Sequence, residues 1–253
     1  MILDKFKLDG KVAIVTGGSR GLGRGMAEGL AQAGADVVLV DVLEMTEAQK
    51  AIQALGRRCA TLVADLSRHE SVAKVVTFVK EQMGAVDILV NNAGIIRRAP
   101  LLEFSEKDWD DVMNINIRTL FFLSQSVARV MVQQGRGGKI VNVASMLSFQ
   151  GGIRVPSYTS SKSAVMGLTR LMANELAPHH INVNAVAPGY MATDNTAPLR
   201  QDSQRSAEIL ARIPAERWGT PEDLQGAVVF LSSSAADYVN GYTLAVDGGW
   251  LSR

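Results

Sequence analysis

The sequence predicts an α/β fold: one doubly wound parallel sheet of about seven strands with helices on both faces. Two observations predict the sheet. Short runs that are apolar almost throughout recur along the chain, and longer stretches with helical patterning lie between them. Strands covered by helices on both faces lose the in-out alternation of a half-exposed sheet and read as continuous apolar runs. A third observation sets the domain count, because no proline-rich or serine-rich linker, repeat or shift in composition divides the 253 residues. Residues 1–253 are therefore expected to form a single domain.

The first strand is expected in "KVAIVTG" at 11–17, and the glycine-rich turn "TGGSRGLGRG" at 16–25 leads from it into a helix through "MAEGLAQAGA". "DVVLVD" at 36–41, "CATLVAD" at 59–65 and "VDILVNNAG" at 86–94 supply the next three strands. "GKIVNVAS" at 138–145 is the fifth, followed by the helix of "SYTSSKSAVMGLTRLMANELA", with Ser157 after Pro156 as its expected start. "INVNAVAPG" at 181–189 and "YTLAVDGG" at 242–249 complete the set. Between these last two strands, the stretch at 187–220 breaks the strand-helix rhythm and is the candidate lid over a site.

Glycines 17, 21 and 23 follow a strand and open a helix, where backbone N–H groups can approach a pyrophosphate and the helix N-terminus favours its charge. The spacing departs from the usual G-x-G-x-x-G fingerprint, but the position is that of a Rossmann dinucleotide turn. Asp41 ends the second strand, where a carboxylate can accept hydrogen bonds from the adenosine ribose and repel a 2′-phosphate. The expected cofactor is NAD. Arg20, in the turn itself, carries the opposite sign and can hold that phosphate. Asp65, at the end of the third strand, is placed either to reach the adenine end or to cap the helix that follows.

Composition excludes other classes. Lys plus Arg number 26 against 25 Asp plus Glu, so a net charge of +1 offers no footprint for nucleic acid or an anionic membrane. The single cysteine, Cys59, forms no internal disulfide, and the three histidines stand in no cluster with ligand spacing. His179 and His180 are adjacent, so they point in different directions rather than toward one metal. "MILDKFKLDGKVAIVTGG" lacks the apolar stretch of a signal peptide, and no run is long enough to span a membrane. A cytoplasmic location is expected, with a small molecule as the partner.

In "IRVPSYTSSK" at 153–162, Tyr158 and Lys162 share one helical face at i and i+4. A free phenol ionises near pH ~10, too high for a proton shuttle at neutral pH. A neighbouring ammonium favours the phenolate and lowers that value, which makes the pair a candidate general acid/base. Beside a nicotinamide, such a pair provides for the proton that must move at an oxygen when hydride moves at its carbon.

Together, "TGGSRGLG", "NNAG" at 91–94, Asn116 in "MNINIRT", Ser145 in "NVASM", "YTSSK", "PGYMAT" at 188–193 and "VDGG" at 246–249 resemble the short-chain dehydrogenase/reductase family over essentially the whole chain. The resemblance implies that Tyr158 is the acid/base and that Ser145 polarises the substrate oxygen. It implies that Lys162 lowers the tyrosine pKa while binding the nicotinamide ribose, and that Asn116 holds a water of the proton relay. The implied cofactor groove runs along Gly17, Ser19, Arg20, Gly21, Leu22 and Gly23, then past Asp41, Asp65, Leu66, Asn92 and Gly94. Met191 and Thr193 would lie near the nicotinamide. C-terminal segments like that of Trp250 often sit at tetramer interfaces in this family, so a homotetramer is implied.

A narrower resemblance, in "RRAPLLEFSEKDWDDVMNINI", "NVASMLSFQGGIRVPSYTSSKSAVMG" and "VNGYTLAVDGGWLSR", is to sugar-acid dehydrogenases of bacterial uronate and pectin catabolism. It implies NAD(H)-dependent interconversion of 3-deoxy-D-glycero-2,5-hexodiulosonate and 2-dehydro-3-deoxy-D-gluconate. Rival readings are gluconate 5-dehydrogenase, an NADPH-dependent 3-oxoacyl-thioester reductase, and a dinucleotide-binding sensor without turnover. A sugar acid carries a carboxylate, the natural partner of an arginine fork. Arg154, assisted by Gln150, is the first candidate to read it. Arg98 is a weaker one, and Arg97 stands beside it.

Overall fold

A computed structural model describes all residues, 1–253. Seven strands form one sheet: β1 (Val12–Thr16), β2 (Asp36–Asp41), β3 (Cys59–Val63), β4 (Ile88–Asn91), β5 (Gly138–Val143), β6 (Ile181–Pro188) and β7 (Thr243–Val246). Their order is β3-β2-β1-β4-β5-β6-β7, and every neighbouring pair is parallel. Each expected strand is present. The fourth and fifth end earlier than their apolar runs suggest, releasing Asn92–Gly94 and Ser145 from the ladder at the carboxyl edge.

The helices are α1 (Gly21–Gln32), α2 (Thr46–Ala54), α3 (Glu70–Met83), α4 (Glu106–Met113), α5 (Leu120–Gln134), α6 (Pro156–Leu176), α7 (Ala197–Gln201), α8 (Ser203–Arg212) and α9 (Gln225–Ser232). A π-helical turn at Asn114–Thr119 joins α4 to α5. Two apolar layers sandwich the sheet, and successive residues of each strand feed opposite layers. Val12, Ile14, Val38 and Val40 pack with residues of α3, α5 and α6, whereas Ala13, Val15, Val37 and Leu39 pack with residues of α1, α2 and α9. The near-unbroken apolar runs in the sequence have this cause.

The winding reverses between β1 and β4, which opens a crevice at the carboxyl ends of the strands. The stretch between β6 and β7 is mostly helical, a short 3₁₀ turn at Asp194–Thr196 followed by α7 and α8. Ile209 and Ile213 from this excursion bury with Met146 and the C-terminal Trp250 in a small third core. Arg212 stacks over the Trp250 ring at 4.0 Å, and Tyr190 meets the same ring edge-on at 4.7 Å between centroids. The excursion is thus tied at both ends rather than being a loose surface loop. The expected start of α6 is displaced: Val155 caps it, Pro156 is its first residue, and Ser157 is buried within the first turn. No helix is long and apolar enough to cross a membrane.

Candidate active site

The crevice contains a cleft of about 430 Å³, lined by Gly17, Ser19, Arg20, Gly21, Leu22 and Gly23 along one wall. The turn holds its shape through Thr16, a residue not singled out in the sequence. Its hydroxyl accepts the N–H groups of Asn92 and Ala93, each at 3.0 Å. In return, the Asn92 amide donates to the carbonyls of Thr16 (2.8 Å) and Gly17 (3.1 Å). Asn92 lines the cleft, but its side chain serves to clamp β1 to β4. Gly17 has φ +67°, and a Cβ on Gly23 would collide with the Gly17 carbonyl oxygen, so the turn closes only with glycine at both positions.

At the adenosine end, one carboxylate oxygen of Asp41 accepts the Ser19 N–H at 3.0 Å and the other accepts the Leu43 N–H at 3.1 Å. The carboxylate therefore both shapes the strand end and faces the glycine turn. Asp65 and Leu66 line the same end. Asp65 does not cap α3, which starts at Glu70 with His69 as its cap. Its carboxylate instead accepts the Ser67 N–H at 2.9 Å, and the Ser67 side-chain hydroxyl first and this N–H second hold its pKa below the usual value. Leu66 is fixed from behind, where its carbonyl accepts the Thr119 hydroxyl at 2.6 Å. Arg20 turns across the cleft and pairs with Asp194 of the excursion at 2.8 Å.

At the other end, α6 presents Tyr158 and Lys162 to the cleft. Ser145, at the tip of β5, and Asn116, in the π-helical turn, are buried just behind its lining. The Asn116 amide donates to the Ile95 carbonyl (3.0 Å) and the Ser161 hydroxyl (3.1 Å), and its oxygen accepts the Ile95 N–H at 2.9 Å. Through these bonds the Asn116 side chain fixes the "NNAG" loop against α6. Lys162 is buried, and its ammonium donates to the Val143 carbonyl at 2.6 Å rather than to the phenol. Burial draws its pKa down to about 8. For Tyr158, burial is the largest influence and raises the pKa; the Ser145 hydroxyl and the Arg98 charge oppose it. The Lys162 ammonium lies 5.6 Å from the Tyr158 ring centroid and makes its hydrogen bond to β5.

The two residues expected to read the substrate do not line this cleft. Gln150 accepts a hydrogen bond from Arg212 at 3.2 Å, and Arg154 is exposed with a left-handed backbone, φ +63°. Arg98 is the arginine whose charge reaches Tyr158, and it also donates to the Asn195 carbonyl at 3.2 Å. Arg97 lines the cleft but is shared between Asp108 (3.3 Å) and Asp111 (3.9 Å). Thr193 lines the cleft, whereas Met191 does not: its apolar side chain is 4% exposed and belongs to the core beneath β6. Gly94 completes the wall beside Asn116.

A glycine turn at the N-terminus of a long helix, a carboxylate at the end of β2 and a tyrosine-serine pair at the far end fit a dinucleotide with its reactive ring beside Tyr158. Such a site can move a hydride and a proton at one carbon-oxygen bond. The chain matches the family described as Enoyl-(Acyl carrier protein) reductase over residues 17–251. It is 65% identical over 253 residues to 2-dehydro-3-deoxy-D-gluconate 5-dehydrogenase of Escherichia coli (strain K12), covering 100% of both chains. A protein from Agrobacterium tumefaciens, assigned as a 2-deoxy-D-gluconate 3-dehydrogenase and holding NADP, superposes with a TM-score of 0.93 at 53% identity, over 98% of this chain and 99% of that one. Gluconate 5-dehydrogenase of Burkholderia cenocepacia J2315, in complex with NADP and tartrate, superposes with a TM-score of 0.95 at 40% identity, over 100% of both. Site geometry, family match and full-length relatives converge: this chain is an oxidoreductase that belongs to the short-chain dehydrogenase/reductase family.

Proposed function

We propose that the enzyme interconverts 3-deoxy-D-glycero-2,5-hexodiulosonate and 2-dehydro-3-deoxy-D-gluconate with NAD(H). The observation that carries the chemistry is Tyr158 at one end of a cleft whose other end is walled by the glycine turn and Asp41. Full-length likeness to the Escherichia coli enzyme supports the substrate.

When bound, a nicotinamide supplies or accepts the hydride. In the reducing direction, Tyr158 donates its hydroxyl proton to the substrate carbonyl oxygen while Ser145 donates a hydrogen bond to the same oxygen. The phenolate that remains must be reprotonated. Lys162, one turn along α6 with its ammonium 5.6 Å from the Tyr158 ring centroid, serves that step. Asn116 acts as a positioning residue, keeping the loop of Asn92 and Gly94 registered against α6. Arg98 is the preferred reader of the substrate carboxylate, ahead of Arg154, because its charge already acts on Tyr158.

Asp41 supports NAD over NADP, since a carboxylate beside the ribose repels a 2′-phosphate. The similar Agrobacterium and Burkholderia proteins hold NADP, which makes the comparison of the two nucleotides the discriminating one. The excursion at 187–220 acts as a lid over the substrate, and we place the enzyme in the cytoplasm as a homotetramer.

Steady-state reduction of 3-deoxy-D-glycero-2,5-hexodiulosonate, with NADH and NADPH side by side and 5-ketogluconate as the competing substrate, tests this reading. Turnover of the diulosonate favouring NADH is expected. A kcat/KM higher for 5-ketogluconate would move the assignment to gluconate 5-dehydrogenase, and a preference for NADPH would remove the role given to Asp41.

A further inference from the structure

Arg20 is a cation in the wall of the cleft, in the same glycine turn that Asp41 faces. It follows Ser19, whose N–H is bonded to the Asp41 carboxylate, so its side chain starts one residue from the group that reads the ribose hydroxyls. An arginine there is suited to a 2′-phosphate. Its guanidinium points elsewhere, across the cleft to Asp194 at 2.8 Å.

We propose that Asp194 is a cofactor-selectivity residue: it competes with the 2′-phosphate of NADPH for Arg20, and so favours NADH from the opposite wall of the cleft. The inference rests on the NAD reading above and adds a second carboxylate to it. Asp194 is well placed to act as a fixed competitor because its turn is held. The Thr196 hydroxyl is bonded to the Met191 and Thr193 carbonyls, Arg200 donates to the Thr193 carbonyl at 3.0 Å, and Arg98 donates to the Asn195 carbonyl at 3.2 Å. Both members of the pair are open to solvent, Arg20 at 67% and Asp194 at 72% of their side-chain surface. An exposed pair of this kind is weak, so a phosphate of about two charges can displace Asp194, at the cost of breaking the pair. NADH lacks the 2′-phosphate and leaves the pair in place.

The test is direct binding of each nucleotide, read by cofactor fluorescence at low ionic strength, to the wild type, Asp194→Asn, Asp194→Glu, Arg20→Ala and the Arg20→Ala/Asp194→Asn double variant. Asp194→Asn is expected to raise NADPH affinity relative to NADH by about two- to fivefold, the range set by exposed ion pairs. Asp194→Glu, which keeps the charge, retains the wild-type ratio. In the Arg20→Ala background the Asn substitution is expected to leave the ratio unaltered. Equal changes for both nucleotides would overturn the proposal by making the pair a latch on the lid alone. An undiminished shift without Arg20 would overturn it by making Asp194 a general charge effect. A wild type that prefers NADPH would sink the NAD reading, while the Asp194→Asn shift, read against that wild type, would still decide the role of Asp194.

Discussion

The Lys162 ammonium donates to the main-chain carbonyl of Val143 at 2.6 Å, which anchors α6 to the end of β5 from inside the protein. A lysine so buried carries a desolvation penalty while charged, and its pKa falls from 10.5 to about 8. The unfolded chain then binds more protons than the folded one between these two values, so this group makes stability rise with pH across that window. Below about pH 8 both states are protonated and the penalty is present in full. Urea unfolding of the wild type and Lys162→Met across pH 7–10 should show the wild type gaining, relative to the variant, on the order of 3 kcal/mol at the top of the range. A difference that is flat with pH would mean that the ammonium is not desolvated.

Tyr158→Phe removes one hydroxyl and retains the ring. Turnover is expected to fall by about 10²–10⁴-fold, the usual worth of a general acid/base, while NADH continues to bind by fluorescence titration. In the ligand-free enzyme the phenol itself should ionise above the ordinary phenol range, because burial outweighs Ser145 and Arg98. The difference in ultraviolet absorbance between wild type and variant during a pH titration reads this directly. A phenolate signal near neutral pH would contradict it.

Thr16→Val keeps the shape of β1 but removes the oxygen that accepts two backbone N–H groups, those of Asn92 and Ala93. Unpaired buried donors cost about 1–3 kcal/mol each, so a stability loss of roughly 2–6 kcal/mol is expected in urea. The glycine turn should loosen as well, which weaker NADH binding would report.

Arg98→Ala is expected to raise KM for the sugar acid by at least about tenfold, in line with a charged hydrogen bond, and to affect a neutral ketone much less. Arg154→Ala, at an exposed position outside the cleft lining, should change KM for both substrates by less than about threefold. The reverse ranking would return the carboxylate to Arg154.

The layout of the fold was legible in the sequence because buried parallel strands record themselves as apolar runs, and seven such runs gave seven strands. The glycine turn was legible because chain reversal and close approach demand a residue without a Cβ, and Tyr158 with Lys162 because helical spacing puts them on one face. Tertiary structure alone decided what each charged group does. It turned Lys162 toward a carbonyl of β5, committed the Asn116 amide to Ile95 and Ser161, and buried Met191 in the core rather than in the cleft. It also brought Arg20 against Asp194 and Arg98 against Asn195, and left Arg154 on the surface. The physical reason is that local pattern specifies a backbone period and a face. The partner of an ion or hydrogen-bonding group is fixed only when the sheet brings residues from distant parts of the chain to the same carboxyl edge.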